Sequence, residues 1–154
     1  MNPTPPDANA TRYPGPLRLA EAMSKFALLD ANDATFTRDG PRADVEYRDL
    51  GWSAATGSRI GAKQIRAIRP FDVETGWHWH DMTAHFVIVQ KGWIKFRYAG
   101  VDGEVTVRAG GSLSQPGGVP HNVVGRSDDL ELIEINMPAE FATNDLPEMK
   151  EATR

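Results

Sequence analysis

Between residues 45 and 137 the chain is a succession of short segments in which apolar and polar residues alternate, each closed by a glycine-, proline- or aspartate-bearing break. Segments of this kind lie at 45–50, 63–69, 77–80, 85–90, 93–98, 104–108, 113–115, 121–124 and 130–137. Period-two alternation over a few residues is the mark of a strand with one buried face. The breaks are Lys91-Gly92, Ala99-Gly100-Val101-Asp102-Gly103, Ala109-Gly110-Gly111, Gly117-Gly118-Val119-Pro120 and Ser127-Asp128-Asp129. They carry the residue types that turns demand. Nine short strands at this spacing predict an all-β sandwich or barrel. Parity assigns the faces: Ile94, Phe96 and Tyr98 point inward and Lys95 and Arg97 outward, while Val105 and Val107 point inward. No internal repeat is present, which excludes a duplicated two-barrel chain.

The remaining segments are of different character. Residues 1–16 hold five prolines and read as an arm. Over 17–29 the apolar residues Leu19, Met23, Phe26 and Ala27 suit one short amphipathic helix, with a strand or coil laid on the domain as the alternative. Residues 30–42 read as a loop, so 17–42 is expected as a helix and loop packed on a barrel of 43–138, followed by a tail at 139–154. A chain of 154 residues is one ordinary domain. Its net charge of −4 argues against a nucleic-acid surface. With no cysteine, disulfides and thiolate metal sites are excluded. The first residues show no signal peptide and no apolar run is long enough for a membrane span, so a cytoplasmic location is expected.

All four histidines fall within one stretch, His78, His80, His85 and His121. Histidine is the commonest protein metal ligand, and a metal site is the first hypothesis for such a cluster. His78 and His80, two apart on a strand, share a face, whereas Trp77 and Trp79 point the other way, toward packing or a dimer contact. The bland alternative is a pair of histidines on an exposed strand. The turn Pro116-Gly117-Gly118-Val119-Pro120 aims His121 at the mouth of the barrel. The odd offset of His85 from His80 requires the turn at Asp81–Ala84 to restore its facing.

These residues resemble the two motifs of the cupin family. The first, G-x5-H-x-H-x(3,4)-E-x6-G, is matched by His78, His80 and Gly92, with Asp72 in place of the first glycine and His85 in place of the glutamate. The second, G-x5-P-x-G-x2-H-x3-N, is matched by Gly110, Pro116, Gly118 and His121, with Gly125 in place of the asparagine. The resemblance covers roughly residues 45–138 and is more specific in the second motif. It implies an antiparallel jelly-roll β-barrel around one divalent transition metal per chain, held by His78, His80, His85 and His121. The alternative for His85 is a neighbour that hydrogen-bonds a metal-bound water.

Replacing the motif carboxylate by a neutral imidazole raises the net charge at a divalent centre and favours anionic ligands such as enolates. It also removes the carboxylate that many cupins use as a proton acceptor. Nitrogen donors alone favour iron, nickel, zinc or copper over magnesium or calcium. By resemblance iron is the native metal expected, with zinc, nickel, manganese or copper as the other candidates. Tyr98, Phe96 and Gln115 are the candidate pocket residues, with the catalytic residues unassigned; core packing is the simpler reading of the two aromatics. By resemblance the leading expectation is a mononuclear non-haem Fe(II) dioxygenase acting on a small organic molecule. The alternatives are a Lewis-acid lyase or isomerase, and a non-catalytic binding module. A homodimer is expected from the apolar strand faces, the outward tryptophans and segment 17–29.

Overall fold

The computed structural model describes residues 15–33 and 35–149; residues 1–14 of the expected arm lie outside them. All nine expected strands form, with ends shifted by a few residues at most. They are β1 (Val45–Asp49), β2 (Gly61–Ala67), β3 (His78–His80), β4 (Ala84–Lys91), β5 (Trp93–Tyr98), β6 (Val105–Arg108), β7 (Ser112–Gln115), β8 (His121–Arg126) and β9 (Glu131–Met137). A tenth, β10 (Thr143–Asp145), and one short helix, α1 (Trp52–Thr56), complete the set. The strands make two five-stranded antiparallel sheets, β1-β2-β9-β4-β7 and β10-β3-β8-β5-β6, the two layers of a jelly roll. Among the described residues no helix is long and apolar enough to cross a membrane.

Parity decides what lies between the sheets. Ile94, Phe96 and Tyr98 of β5 are buried with Val107 of β6, Val87 and Val89 of β4, and Leu130 and Leu132 at the start of β9. The intervening Lys95 and Arg97 reach across the outer surface to Glu104, at 3.0 and 2.8 Å. This apolar cluster fills one end of the barrel, where the alternation of β4, β5 and β9 is cleanest. At the other end the same inward positions carry His78, His80, His85, Gln115 and His121.

Strand β8 runs from one end to the other. It begins with His121 in the polar mouth and finishes with Arg126, whose side chain is only 3 % exposed. The Arg126 guanidinium is held by four hydrogen bonds: it donates to Asp44 Oδ2 (2.8 Å), the Arg69 carbonyl (2.8 Å), the Asp44 carbonyl (3.2 Å) and the Ser127 carbonyl (3.1 Å). It also lies over the Phe71 ring. Such a buried cation is tolerated only because its donors are spoken for.

The expected helix at 17–29 does not form. A 3-10 turn at Leu19–Glu21 gives way to extended chain, and a second 3-10 turn follows at Ala31–Asp33. The reason is the lack of a receiving surface. Leu19, Met23 and Phe26 are 70, 54 and 81 % exposed, and a helix this short gains most of its stability from docking its apolar face. The segment is instead tied down through its backbone. Lys25 N donates to the Ala55 carbonyl, while Arg59 and Arg48 donate to the carbonyls of Met23 and Asp30. Helix α1 occupies one turn between Gly51 and Gly57, both left-handed at φ 79° and 60°, and is too short to display a helical period.

Candidate metal centre

Strands β3 and β8 place three histidines together. In β3, His78 and His80 point inward and Trp79 outward, as parity requires. Across the ladder His78 is the Cα partner of His121, the first residue of β8. One ring nitrogen from each of His78, His80 and His121 lies within 4.8 Å of the other two, close enough to share one ion. The ring centroids are 4.5 Å apart for His78 and His121, and 5.0 Å from His80 to each of the others.

The fit to a metal is visible in how the other ring nitrogens are used. Nδ1 of His78 is 2.8 Å from the Gly76 carbonyl, and Nδ1 of His121 is 3.0 Å from the Val119 carbonyl. A carbonyl can only accept, so both Nδ1 atoms carry the proton and both Nε2 atoms keep their lone pair. Nδ1 of His80 is 2.9 Å from the Thr143 hydroxyl, which can accept in the same way. Partners of this kind fix the tautomer and orientation of ligating histidines. Burial first, and then the neighbouring histidines His121, His78 and His85, pull the His80 pKa down to about 4. Burial likewise brings His121 to about 4, helped by His78 and His85 and opposed by the Val119 carbonyl. Neutral imidazoles with free Nε2 atoms are the form a divalent transition metal requires.

Local chain features hold this geometry. The turn leading to His121 packs on the turn after His80: Gly118 N donates to the His80 carbonyl at 3.1 Å. A Cβ at Gly117 would sit 1.8 Å from the Met82 carbonyl oxygen, so only glycine allows the two turns to meet. Thr143 belongs to β10, which pairs with β3 in the register Thr143↔His80. Part of the expected tail is therefore a structural member of the site. Phe141, just before β10, packs its ring 5.2 Å from His80. A cleft of about 500 Å³ between residues 81–83 and 138–142 opens beside it.

The facing sheet supplies the rest. His85 of β4 is 5 % exposed with its ring centroid 5.5 Å from that of His80, but its nitrogens do not join the three-histidine group. Its Nε2 lies 3.3 Å from Oε2 of Glu134, in a direction too oblique for a hydrogen bond, and is otherwise unpartnered. Burial pushes the Glu134 carboxyl up, but His85, His80 and Lys63 more than offset it and leave the pKa below the ordinary value. A carboxylate is therefore present beside the histidines, although the motif position lacks one. Gln115 of β7 is the Cα partner of His85. It accepts a 2.5 Å bond from the Tyr98 hydroxyl, whose pKa burial raises. The Tyr98 ring lies 5.5 Å from His121, so Tyr98 and Gln115 form the floor under the histidines. Phe96 stacks beneath Tyr98 at 5.6 Å, within the apolar cluster.

Glu134 and Thr143 escape a reading of the sequence by motif. For Glu134 a signal exists: it shares the parity of the buried Leu132 and Asn136, so it is an acid at an inward position. Thr143 has none, because Thr-Asn-Asp is a poor strand former and pairs only because β3 presents an open edge.

The Cupin_2 model, a cupin domain, matches residues 65–136. No curated protein matches the sequence. Among solved structures, the polyketide cyclase RemF from Streptomyces resistomycificus aligns with a TM-score of 0.63 and 18 % identity, covering 82 % of this chain and 88 % of that one. KdgF from Halomonas sp. aligns at 0.58 with 13 % identity, over 74 and 96 % of the two chains. The oxalate decarboxylase of Lactobacillus farciminis aligns at 0.55 with 15 % identity, over 75 % of this chain but only 34 % of the enzyme. With the family model spanning β2 to β9, both histidine motifs in order and two antiparallel sheets enclosing them, the barrel of this chain is a cupin domain.

Proposed function

We propose that the chain is a metal-dependent enzyme for a small, enolisable organic molecule, with His78, His80 and His121 as the ligands, and that its chemistry is that of a non-haem Fe(II) dioxygenase. The observation that carries the metal in this reading is the convergence of one ring nitrogen from each of the three histidines, with Nε2 of His78 and His121 freed by carbonyls at Nδ1 and that of His80 freed when the Thr143 hydroxyl accepts. Structural histidines have no need of such a matched arrangement. A bound redox-active metal supplies the electrons that oxygen chemistry needs, while a redox-inert one only polarises a carbonyl.

The chain's own residues do the rest. All three ligands come from β3 and β8, so the side facing β4 and β9 is left for substrate. With His85 outside the group, that side is less crowded than a four-histidine shell would leave it. Tyr98 and Gln115, locked to one another, give a rigid floor. Phe141 and Met82 border the way in and would exclude water from a bound molecule.

A second reading has its own support. Glu134 provides a carboxylate within reach of a substrate held at the histidines, and the fold similarity to a polyketide cyclase covers most of both chains. A Lewis-acid lyase, isomerase or cyclase would use that carboxylate to accept a proton. Oxygen consumption separates the two. Fe(II)-loaded protein should consume oxygen with a 1,3-dicarbonyl or similar substrate, and Zn(II)-loaded protein should bind it without consuming oxygen. Equal turnover of substrate with both metals would establish the Lewis-acid reading instead.

The chain is also proposed to form a homodimer. Phe86 and Ile88 on the outer face of β4 are 37 and 40 % exposed, and Leu19, Phe26 and Leu28 are more exposed still. A monomeric mass by light scattering at micromolar protein would rule the dimer out.

A further inference from the structure

We infer that Glu134 is a positioning residue that holds His85 away from the metal, so that the centre keeps three histidine ligands with an imidazole–carboxylate pair beside it. The inference rests on the three-histidine reading above and concerns what the fourth histidine does. His85 stands where the cupin motif has its glutamate ligand, on the inward face of β4, and its ring is 5.5 Å from that of His80. What lies on its other side is Glu134, with Oε2 3.3 Å from the His85 Nε2.

The ladder explains why the two meet. In the β4–β9 register His85 is opposite Asn136 and Val87 opposite Glu134, so His85 and Glu134 are diagonal neighbours on one face. Asn136, fully buried, does not serve instead: its Nδ2 donates to the carbonyls of Pro138 and Ala139 at 2.7 and 3.0 Å, and its unpartnered Oδ1 lies against Gly61 of β2, on the other side of β9 from His85. The His85 ring is only 5 % exposed, and the Glu134 carboxylate is the one ion-pair partner the structure gives it among the described residues. Exchange of the motif glutamate for histidine is thus matched by a glutamate on the neighbouring strand. The carboxylate stands one strand over, with Oε2 3.3 Å from the imidazole Nε2.

Co(II) serves as the probe because its absorption and X-ray fine structure report the number of imidazoles bound. Wild-type protein and His85→Ala should show the same three-imidazole spectrum with one Co(II) per chain. Glu134→Leu, which keeps the volume and removes both oxygens, should release His85 to the metal. It should show a fourth imidazole and bind Co(II) about tenfold more tightly, the scale on which ligand-orienting groups act. Adding His85→Ala to Glu134→Leu should return both readings to the wild-type values. The inference is overturned if His85→Ala alone changes the spectrum, or if Glu134→Leu leaves three imidazoles and an unchanged affinity. Should Glu134→Leu fail to fold, Glu134→Ala takes its place, with the same fourth imidazole and tighter Co(II) binding expected and the same unchanged readings overturning the inference. Wild-type protein that binds no Co(II) would overturn the three-histidine reading itself, and this inference with it.

Discussion

The two ends of strand β8 bury polar groups by opposite rules. At its last residue, Arg126 is enclosed and its Nη1 and Nη2 donate to Asp44 and to main-chain carbonyls. At its first, His121 and its two neighbours each have one nitrogen satisfied and one left over. Nearby, the buried His85 Nε2 and Asn136 Oδ1 lack any hydrogen-bond partner. One strand thus joins an end where a buried cation is paired with Asp44 and main-chain carbonyls to an end that brings three ring nitrogens within reach of one ion. The closed end makes the fold, and the open end makes the site.

If that contrast is right, the two ends should fail differently. His78→Ala and His121→Ala should each abolish tight metal binding, measured by metal analysis after dialysis. Both variants should keep the wild-type circular dichroism, because the ligands sit outside the apolar cluster. Loss of the fold in either would erase the distinction.

Asp44→Ala should do the reverse. Removing the partner of a buried cation costs about 3–5 kcal/mol, which denaturant unfolding of the metal-free protein would read. Burial raises the Asp44 pKa, but Arg42 and Arg126 overcome this and hold it below its ordinary 3.8. The contribution is therefore fully present above that ordinary value and is lost as the pH falls through the lower folded one. The acid sensitivity of wild-type stability below pH 3.8 should shrink in the variant. A variant as stable as wild type would show that the Arg126 cluster does not hold the closed end.

Thr143→Val tests the third Nδ1 partner. It should weaken metal binding by about 10–100-fold while leaving the stoichiometry at one, as for other residues that orient ligating histidines. The smallest effect is expected at the floor of the site. Tyr98→Phe strips the buried Gln115 of its hydroxyl donor and should cost about 1–3 kcal/mol of stability with metal affinity unchanged. A large change in metal affinity would mean that Tyr98 belongs to the centre rather than beneath it.

The strands were legible in the sequence because a face in contact with the core imposes period two, and β5 shows it in every residue from Trp93 to Tyr98. Segment 17–29 misled because its apolar spacing suits a helix for which the barrel offers no groove. Helix α1 and β10 are set by glycine brackets and by the open edge of β3, neither of which produces a pattern of its own. In the site, the grouping of His78, His80 and His121 was legible from the two-residue spacing in β3 and the resemblance to the two motifs. The setting of His85 was not, since it depends on which residue of β9 lies diagonally across a ladder, and register is a property of pairing rather than of either strand.

The account rests on three histidines sharing one ion. Diffraction from metal-loaded crystals, with anomalous data at the absorption edge of the metal, tests it most directly. One peak per chain is predicted, at about 2.0–2.2 Å from Nε2 of His78, His80 and His121. A metal-replete crystal with no peak among those three nitrogens, or with its ion held elsewhere, would contradict the account.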